Sequence, residues 1–205
     1  MGLHGLQRLA DYEALLQSNP GEAELLFKEM MIGVTSFFRD PALWQALEQE
    51  LLPRLLDAPP DAGPARAWCA GCSTGQEAYS LAMAWLDLAA ARTAPRALQL
   101  FASDLNAGAV ARARAGSYKP AELEGVSAAR RERFFRPEAG RLRVTRALRE
   151  PVLFARHDLT ADPPFGRLDL LLCRNVLIYL QADQQQELLR VFHHCAIHAL
   201  RHMLC

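Results

Sequence analysis

Lysine is nearly missing from this 205-residue chain: Lys28 and Lys119 are the only two, and arginine supplies the remaining positive charge. The turn bracketed by Gly71 and Gly75 therefore lacks the lysine of a phosphate-binding loop, and its Gly-x-x-x-Gly spacing is not the G-x-G-x-x-G of a dinucleotide fold. Net charge is missing as well. The 23 basic residues balance 23 acidic ones, which predicts no bulk affinity for nucleic acid or for an anionic membrane. No apolar run approaches the about 20 residues needed to cross a bilayer. The N-terminal stretch MGLHGLQRLADYEALL is too polar for a secretory signal, so a cytoplasmic location is expected. Cysteine is sparse and odd in number (Cys69, Cys72, Cys173, Cys195, Cys205), unlike a disulfide framework. Cys69 and Cys72 form a C-x-x-C with no second pair at zinc-site spacing, so they read as buried strand-end cysteines and no metal site is expected.

Apolar residues are present in quantity, 51% of the chain, enough for one domain, or one domain and a small appendage, around a sizeable core. The stretch that organises the rest is Arg66 to Leu81, RAWCAGCSTGQEAYSL. Ala67 to Ala70 reads as a strand and Gly71 to Gly75 as a turn of small residues. Gln76 onward reads as a helix with Tyr79, Leu81, Ala82, Met83 and Trp85 on its apolar faces. Such a turn sets backbone N–H groups beside a helix N-terminus, a place for a polar or anionic ligand group.

Before this stretch the chain reads as helical. Leu9 to Leu16 has helical spacing, Asn19-Pro20-Gly21 breaks it, and Glu22 to Ile32 resumes it. In VTSFFRDP, Asp40 suits an N-cap with Pro41 at N1 of a helix to about Leu56. Phe37 and Phe38 read as core anchors, while Thr35 and Arg39 also fit a structural hydroxyl and a solvated charge. The DAPPDAGP stretch reads as a linker, giving a partial helical domain over 1–56, a linker over 57–66 and a main domain over 67–205. After the first strand and helix, Leu98 to Ala102 is a second strand closed by Ser103-Asp104, and Asn106 caps a helix that Gly116 ends. This βαβα order implies a parallel sheet with helices on its faces. Asp104 at a strand's carboxyl end suits a ribose diol, and an Asx turn or helix cap equally well.

Residues 112–156 interrupt the alternation. They carry twelve basic residues against five acids, and Arg141 to Val144 and Val152 to Ala155 read as small strands. The excess suits an acidic partner or a merely solvated face. Few aromatics are interleaved, which argues against a single-stranded nucleic acid platform. LDLLLC (168–173) reads as a buried parallel strand ending in the polar pair Arg174-Asn175, and Asp183 suits the cap of an amphipathic helix. His194, His198 and His202 repeat at helical spacing near the end, where a frayed helix explains them as well as metal binding does.

Assembled, the motifs VTSFFRDP, AGCSTGQEAYS, FASDL, LREPVLFARHDL and DPPFGRLDLLLCRNVLIYL run in order across roughly residues 9–194 and resemble the CheR family of chemotaxis receptor glutamate methyltransferases. The resemblance implies a Rossmann-like α/β methyltransferase sheet, a small N-terminal helical domain and a small β-subdomain near 134–156 that touches the receptor. It implies S-adenosylmethionine as cofactor and a methyl-accepting chemotaxis receptor as protein substrate of a monomeric enzyme, with no nucleic acid partner and no membrane insertion. By resemblance, Thr35 and Arg39 reach over from the helical domain to the cofactor, and Arg39 also grips the substrate carboxylate. Gly71 and Glu77 lie at the cofactor's polar end and Asp104 at its ribose. Asp158 and Leu159 flank the adenine, Arg174 and Asn175 border the methionine portion, and Tyr179 lies near the transferred methyl. Gly33 stands where the family usually has asparagine, and Asp158 where asparagine is common. FRPEAGRLRV (135–144) is shorter than in members that bind a receptor's C-terminal tether, so tether-independent binding is expected. Both ends look cut relative to the family, and the sheet is expected to lack its last strands and to expose one edge. A non-catalytic remnant that binds receptor without turnover is the alternative. A dehydrogenase fails on the glycine spacing.

Overall fold

The computed structural model describes residues 9–19, 21–22, 26, 35–59, 62–195 and 202–204. The chain forms two compact units, Met1–Val34 and Thr35–Cys205. In the first, helix α1 (Leu9–Ser18) ends where the Asn19 side chain accepts hydrogen bonds from the Gly21 and Glu22 amides at 3.1 and 3.3 Å. Most of the helix expected over Glu22 to Ile32 lies outside the described residues.

The second unit begins with a helix, α2, made of Pro41–Ala46, a wider π-turn over Leu47–Leu51, and Leu52–Leu56. Strand β1 (Ala65–Ala70), helix α3 (Gln76–Ala89), strand β2 (Leu98–Asp104) and helix α4 (Ala107–Ala115) follow. Asn106 caps α4 as expected, accepting from the Gly108 and Ala109 amides at 2.9 and 3.1 Å, and Gly116 ends it at a φ of 59°. Next come β3 (Ser117–Tyr118), α5 (Ala128–Phe134), β4 (Phe135–Glu138), β5 (Arg141–Val144), α6 (Arg146–Arg149) and β6 (Val152–Arg156). The chain returns through β7 (Leu170–Leu172) and α7 (Ala182–Cys195) to β8 (His202–Leu204).

Five strands form a parallel sheet in the order β6-β2-β1-β7-β8. Side chains alternate across it, as strand geometry requires. Ala65, Ala67, Cys69, Leu100, Ala102 and Leu172 pack under α2, α3 and α4. Trp68, Ala70, Phe101 and Leu171 face Leu188 and Phe192 of α7. Both faces are thus covered, which is why β7 is apolar throughout and β1 is apolar but for Arg66.

Several expectations change here. The unit division falls before Thr35 rather than at the DAPPDAGP stretch, because Phe37, Phe38, Trp44, Leu52 and Leu55 share one core with Met83 and Leu100. Thr35 and Arg39 therefore belong to the same unit as the sheet. The small antiparallel sheet, ordered β3-β5-β4, spans residues 117–144. The stretch Val152 to Ala155 is not part of it. It pairs in parallel with β2, Leu100 opposite Val152, and buries Phe154 under the main sheet's helices. At the other edge β8 extends the sheet one strand beyond β7, and among the described residues no strand pairs with its outer side, so the expected open edge falls on β8. Helix α7 ends at Cys195 and His202 lies in β8, so His194 and His202 do not share a helical face; His198 is outside the described residues.

Candidate active site at the carboxyl edge of the sheet

From β1 the chain builds outward through β2 and β6, then crosses to β7 on the other side of β1. Such a reversal opens a crevice beyond the carboxyl ends of the two strands, where open parallel sheets take their ligands. Asp104 ends β2, and Gly71 to Gly75, Asp158 and Arg174-Asn175 follow strand ends on the same edge.

Gly71 has a φ of +74°, and a Cβ there would lie 2.1 Å from Val176 Cγ2. Only glycine fits. The N–H groups of the turn are mostly spent inside the fold, contrary to the expectation that they face a ligand. Gly71 and Cys72 both donate to the Ser103 carbonyl at 2.8 and 2.9 Å, Gly75 to Cys72 at 2.9 Å, and Ser73 to Asp104 Oδ2 at 2.8 Å. The turn is knitted to β2, and this use takes precedence. Asp104 also accepts from the Asn106 amide at 2.9 Å, so the Asx turn is present. Each of its carboxylate oxygens still has a second lone pair.

The segment before α2 is pinned to α3. Phe38 N–H donates to Ser80 Oγ at 3.0 Å, and the Phe37 ring meets the edges of Tyr118 and Phe135 at 5.0 and 5.8 Å. Positive φ at Phe38 (50°) and Asp40 (61°) turns the chain, and Trp44 Nε1 donates to the Arg39 carbonyl at 2.9 Å. Arg39 and Asp40 are thereby brought to the end of β7, where the Arg174 guanidinium gathers three acceptors. Its Nη1 donates to Glu77 Oε2 at 2.9 Å and to the Arg39 carbonyl at 3.4 Å, while Nη2 pairs with the Asp40 carboxylate. Arg174 and Glu77 are 9% and 13% exposed, Asp40 63%. Burial pushes the Glu77 carboxyl above its usual range, and the charges of Arg174 and Arg39 offset that only in part. Asp40 stands before the helix as expected but makes no side-chain capping bond, because its left-handed backbone turns the carboxylate to Arg174. Cys69 Sγ lies 3.4 Å from Glu77 Oε1, and burial raises both the Cys69 and Cys72 thiols well above the ordinary value.

Past β6, Asp158 Oδ1 accepts from Thr160 N and Oγ1 at 2.8 and 2.7 Å, and these bonds hold its carboxyl below the usual range. Leu159 packs on the α7-side core. Asn175 adopts a φ of 58° and is exposed. Tyr179 lies in a short turn, Leu177–Tyr179, and is 57% exposed beside Ile178 at 72%. Thr35 is partly buried at the start of the pinned segment. Among the described residues, neither Thr35 nor Tyr179 is bonded to Glu77 or Arg174. Sequence reasoning missed the polar use of Asp40, Ser73 and Ser80. Asp40 left a trace, a carboxylate next to Arg39, that capping explained too readily.

The basic segment is less available to a partner than its composition implies. Arg130 and Arg133 both pair with Asp87, and Arg130 also with Glu48. Arg112 pairs with Glu122 and Arg143 with Glu138, while Arg114 and Arg149 donate to backbone carbonyls.

A doubly wound parallel sheet with acids at or beyond the ends of β1, β2 and β6, and an arginine beyond β7, defines a Rossmann-like α/β domain built for a ligand with several polar ends. A family model described as "CheR methyltransferase, SAM binding domain" matches residues 33–199, and the chain belongs to that family. It is 36% identical over 194 residues to "Uncharacterized 104.1 kDa protein in hypE 3'region" of Rhodobacter capsulatus, covering 95% of this chain and 20% of that protein. To the chemotaxis protein methyltransferase of Listeria monocytogenes it is 36% identical over 161 residues, 78% of this chain and 59% of the relative. To that of Escherichia coli K12 it is 36% identical over 196 residues, 92% of this chain and 65% of the relative. The chain thus spans less than two thirds of each of these relatives. Among the described residues, no helix is long and apolar enough to cross a membrane.

Proposed function

We propose that the protein transfers a methyl group from S-adenosylmethionine to glutamate side chains of methyl-accepting chemotaxis receptors, giving glutamate methyl esters and S-adenosylhomocysteine. The observation that carries this reading is the Glu77–Arg174 pair at the switch point, flanked by Arg39 and Asp40, in a chain of this family. The groups present suit the cofactor. Asp104 has spare lone pairs for a ribose diol. Glu77 suits an ammonium and Arg174 a carboxylate at the amino-acid end. Asp158 and Leu159, one strand further along, would flank the adenine, with Asn175 bordering the methionine portion. Gly71 serves by letting Val176 close on the turn.

The bound cofactor supplies an electrophilic methyl whose C–S bond electrons stay on sulfur as the new C–O bond forms. A substrate carboxylate is already ionised and nucleophilic at neutral pH, so the protein needs no strong general base. Its work is to place the carboxylate in line and keep water away. Arg39 is assigned the substrate carboxylate, which a guanidinium grips bidentately. Tyr179, exposed on its turn with Ile178, would border the reacting methyl, and Thr35 would lie against the cofactor. The antiparallel sheet is assigned to receptor contact. Its β4–β5 hairpin closes on two residues, Ala139 and Gly140, both with positive φ, and such a short hairpin favours tether-independent binding. The monomeric state and the cytoplasmic location are part of the same proposal.

Isothermal titration with S-adenosylhomocysteine tests it, beside Asp104→Ala. Saturable binding is expected, weakened at least tenfold in the variant, and a receptor-methylation assay then tests turnover. No heat from a folded wild-type protein would favour the remnant that binds receptor without turnover.

A further inference from the structure

One guanidinium at this site serves two carboxylates, and they are not equivalent. The Arg174–Glu77 bond, at 2.9 Å, joins side chains 9% and 13% exposed. Removing either partner would strand a buried charge, so this pair does not open readily. Asp40, 63% exposed, pairs with the other end of the guanidinium, where solvent offsets its loss. Among the described residues, no other group uses the Asp40 carboxylate: α2 is begun by the backbone carbonyl, which accepts from the Leu43 amide at 3.0 Å, and the side chain makes no capping bond. A ligand carboxylate that seeks Arg174 therefore finds its outer nitrogen taken by an exposed competitor of the same chemistry.

We propose that Asp40 is an affinity-setting residue: its carboxylate occupies the outer edge of Arg174 as a resident stand-in for the α-carboxylate of the cofactor's amino-acid end, and yields when that group binds. The proposal rests on the reading that the amino-acid end lies at Arg174 and Glu77. Its effect is to weaken binding of both the methyl donor and the spent cofactor. When the spent cofactor leaves, Asp40 returns to Arg174, so the outer nitrogen regains a partner while the inner one stays on Glu77.

The test compares the wild type with Asp40→Asn and Asp40→Gly, both residue types that accept a positive φ. Each is titrated with S-adenosylhomocysteine and with 5′-methylthioadenosine, which has the adenosine and sulfur but no carboxylate. Both variants are expected to bind S-adenosylhomocysteine about fivefold more tightly, the scale of an exposed ion pair, with 5′-methylthioadenosine affinity unchanged. A merely structural role would weaken both ligands. Unchanged or weaker S-adenosylhomocysteine binding overturns the proposal, and so does an equal gain for both ligands, which would mean a general charge effect. No binding of S-adenosylhomocysteine by folded wild type is a different failure: it removes the cofactor reading itself, and the role of Asp40 with it.

Discussion

At residue 71 the only heavy-atom side chain that fits is none. The left-handed backbone costs an alanine about 1 kcal/mol, and the clash of its Cβ with Val176, 2.1 Å away, adds about 2 kcal/mol more. Gly71→Ala is therefore expected to lower stability by about 3 kcal/mol in urea unfolding. Adding Val176→Ala should recover the steric share and leave the backbone share. If the double variant recovers nothing, the clash is not what makes this position glycine. The glycine was legible in the sequence as part of a turn, and so was the polar pair Arg174-Asn175 at a strand end. That Val176 closes against Gly71 was not, because the two meet only when β7 pairs with β1.

At the scale of the element, the segment from Thr35 to Asp40 has no regular structure and yet is placed with care. Its hold on α3 includes the Phe38 amide on Ser80 Oγ, which in turn donates to the Gln76 carbonyl at 2.7 Å. Ser80→Ala leaves that buried amide without its acceptor, an expected loss of about 1–2 kcal/mol. Faster hydrogen exchange at Phe38 and weaker S-adenosylhomocysteine binding should appear together, since Arg39 and Asp40 ride on this segment. Normal exchange at Phe38 with weakened binding would place the effect elsewhere. Ser80 looked like one more small helix residue in the sequence, where its partner 42 positions upstream cannot be seen. Val152 to Ala155 carries the same lesson. A period of two identifies a strand but not the sheet it joins, and the short antiparallel sheet nearby was the wrong neighbour.

At the scale of the molecule, both hydrophobic clusters lie within the unit Thr35–Cys205. A chain beginning at Thr35 is expected to keep its far-ultraviolet circular dichroism per residue and melt in a single cooperative transition. A molten profile, with near-ultraviolet signal lost, would show that residues 1–34 are needed to complete the fold.

The sequence by itself determined the α/β class, the glycine turn, the Asn106 cap and the run of motifs that marks the family, because each depends on neighbours within a few residues: period, cap or turn. Tertiary structure alone decided where the compact units divide, which sheet Val152 to Ala155 joins, and which edge β8 extends. It also decided that the turn's amides serve β2 and that Asp40 faces Arg174 rather than capping its helix. Each of these is a competition between partners distant in the chain for the same donor, acceptor or charge. Local pattern shows that such a group exists, and only the folded chain settles which partner takes it.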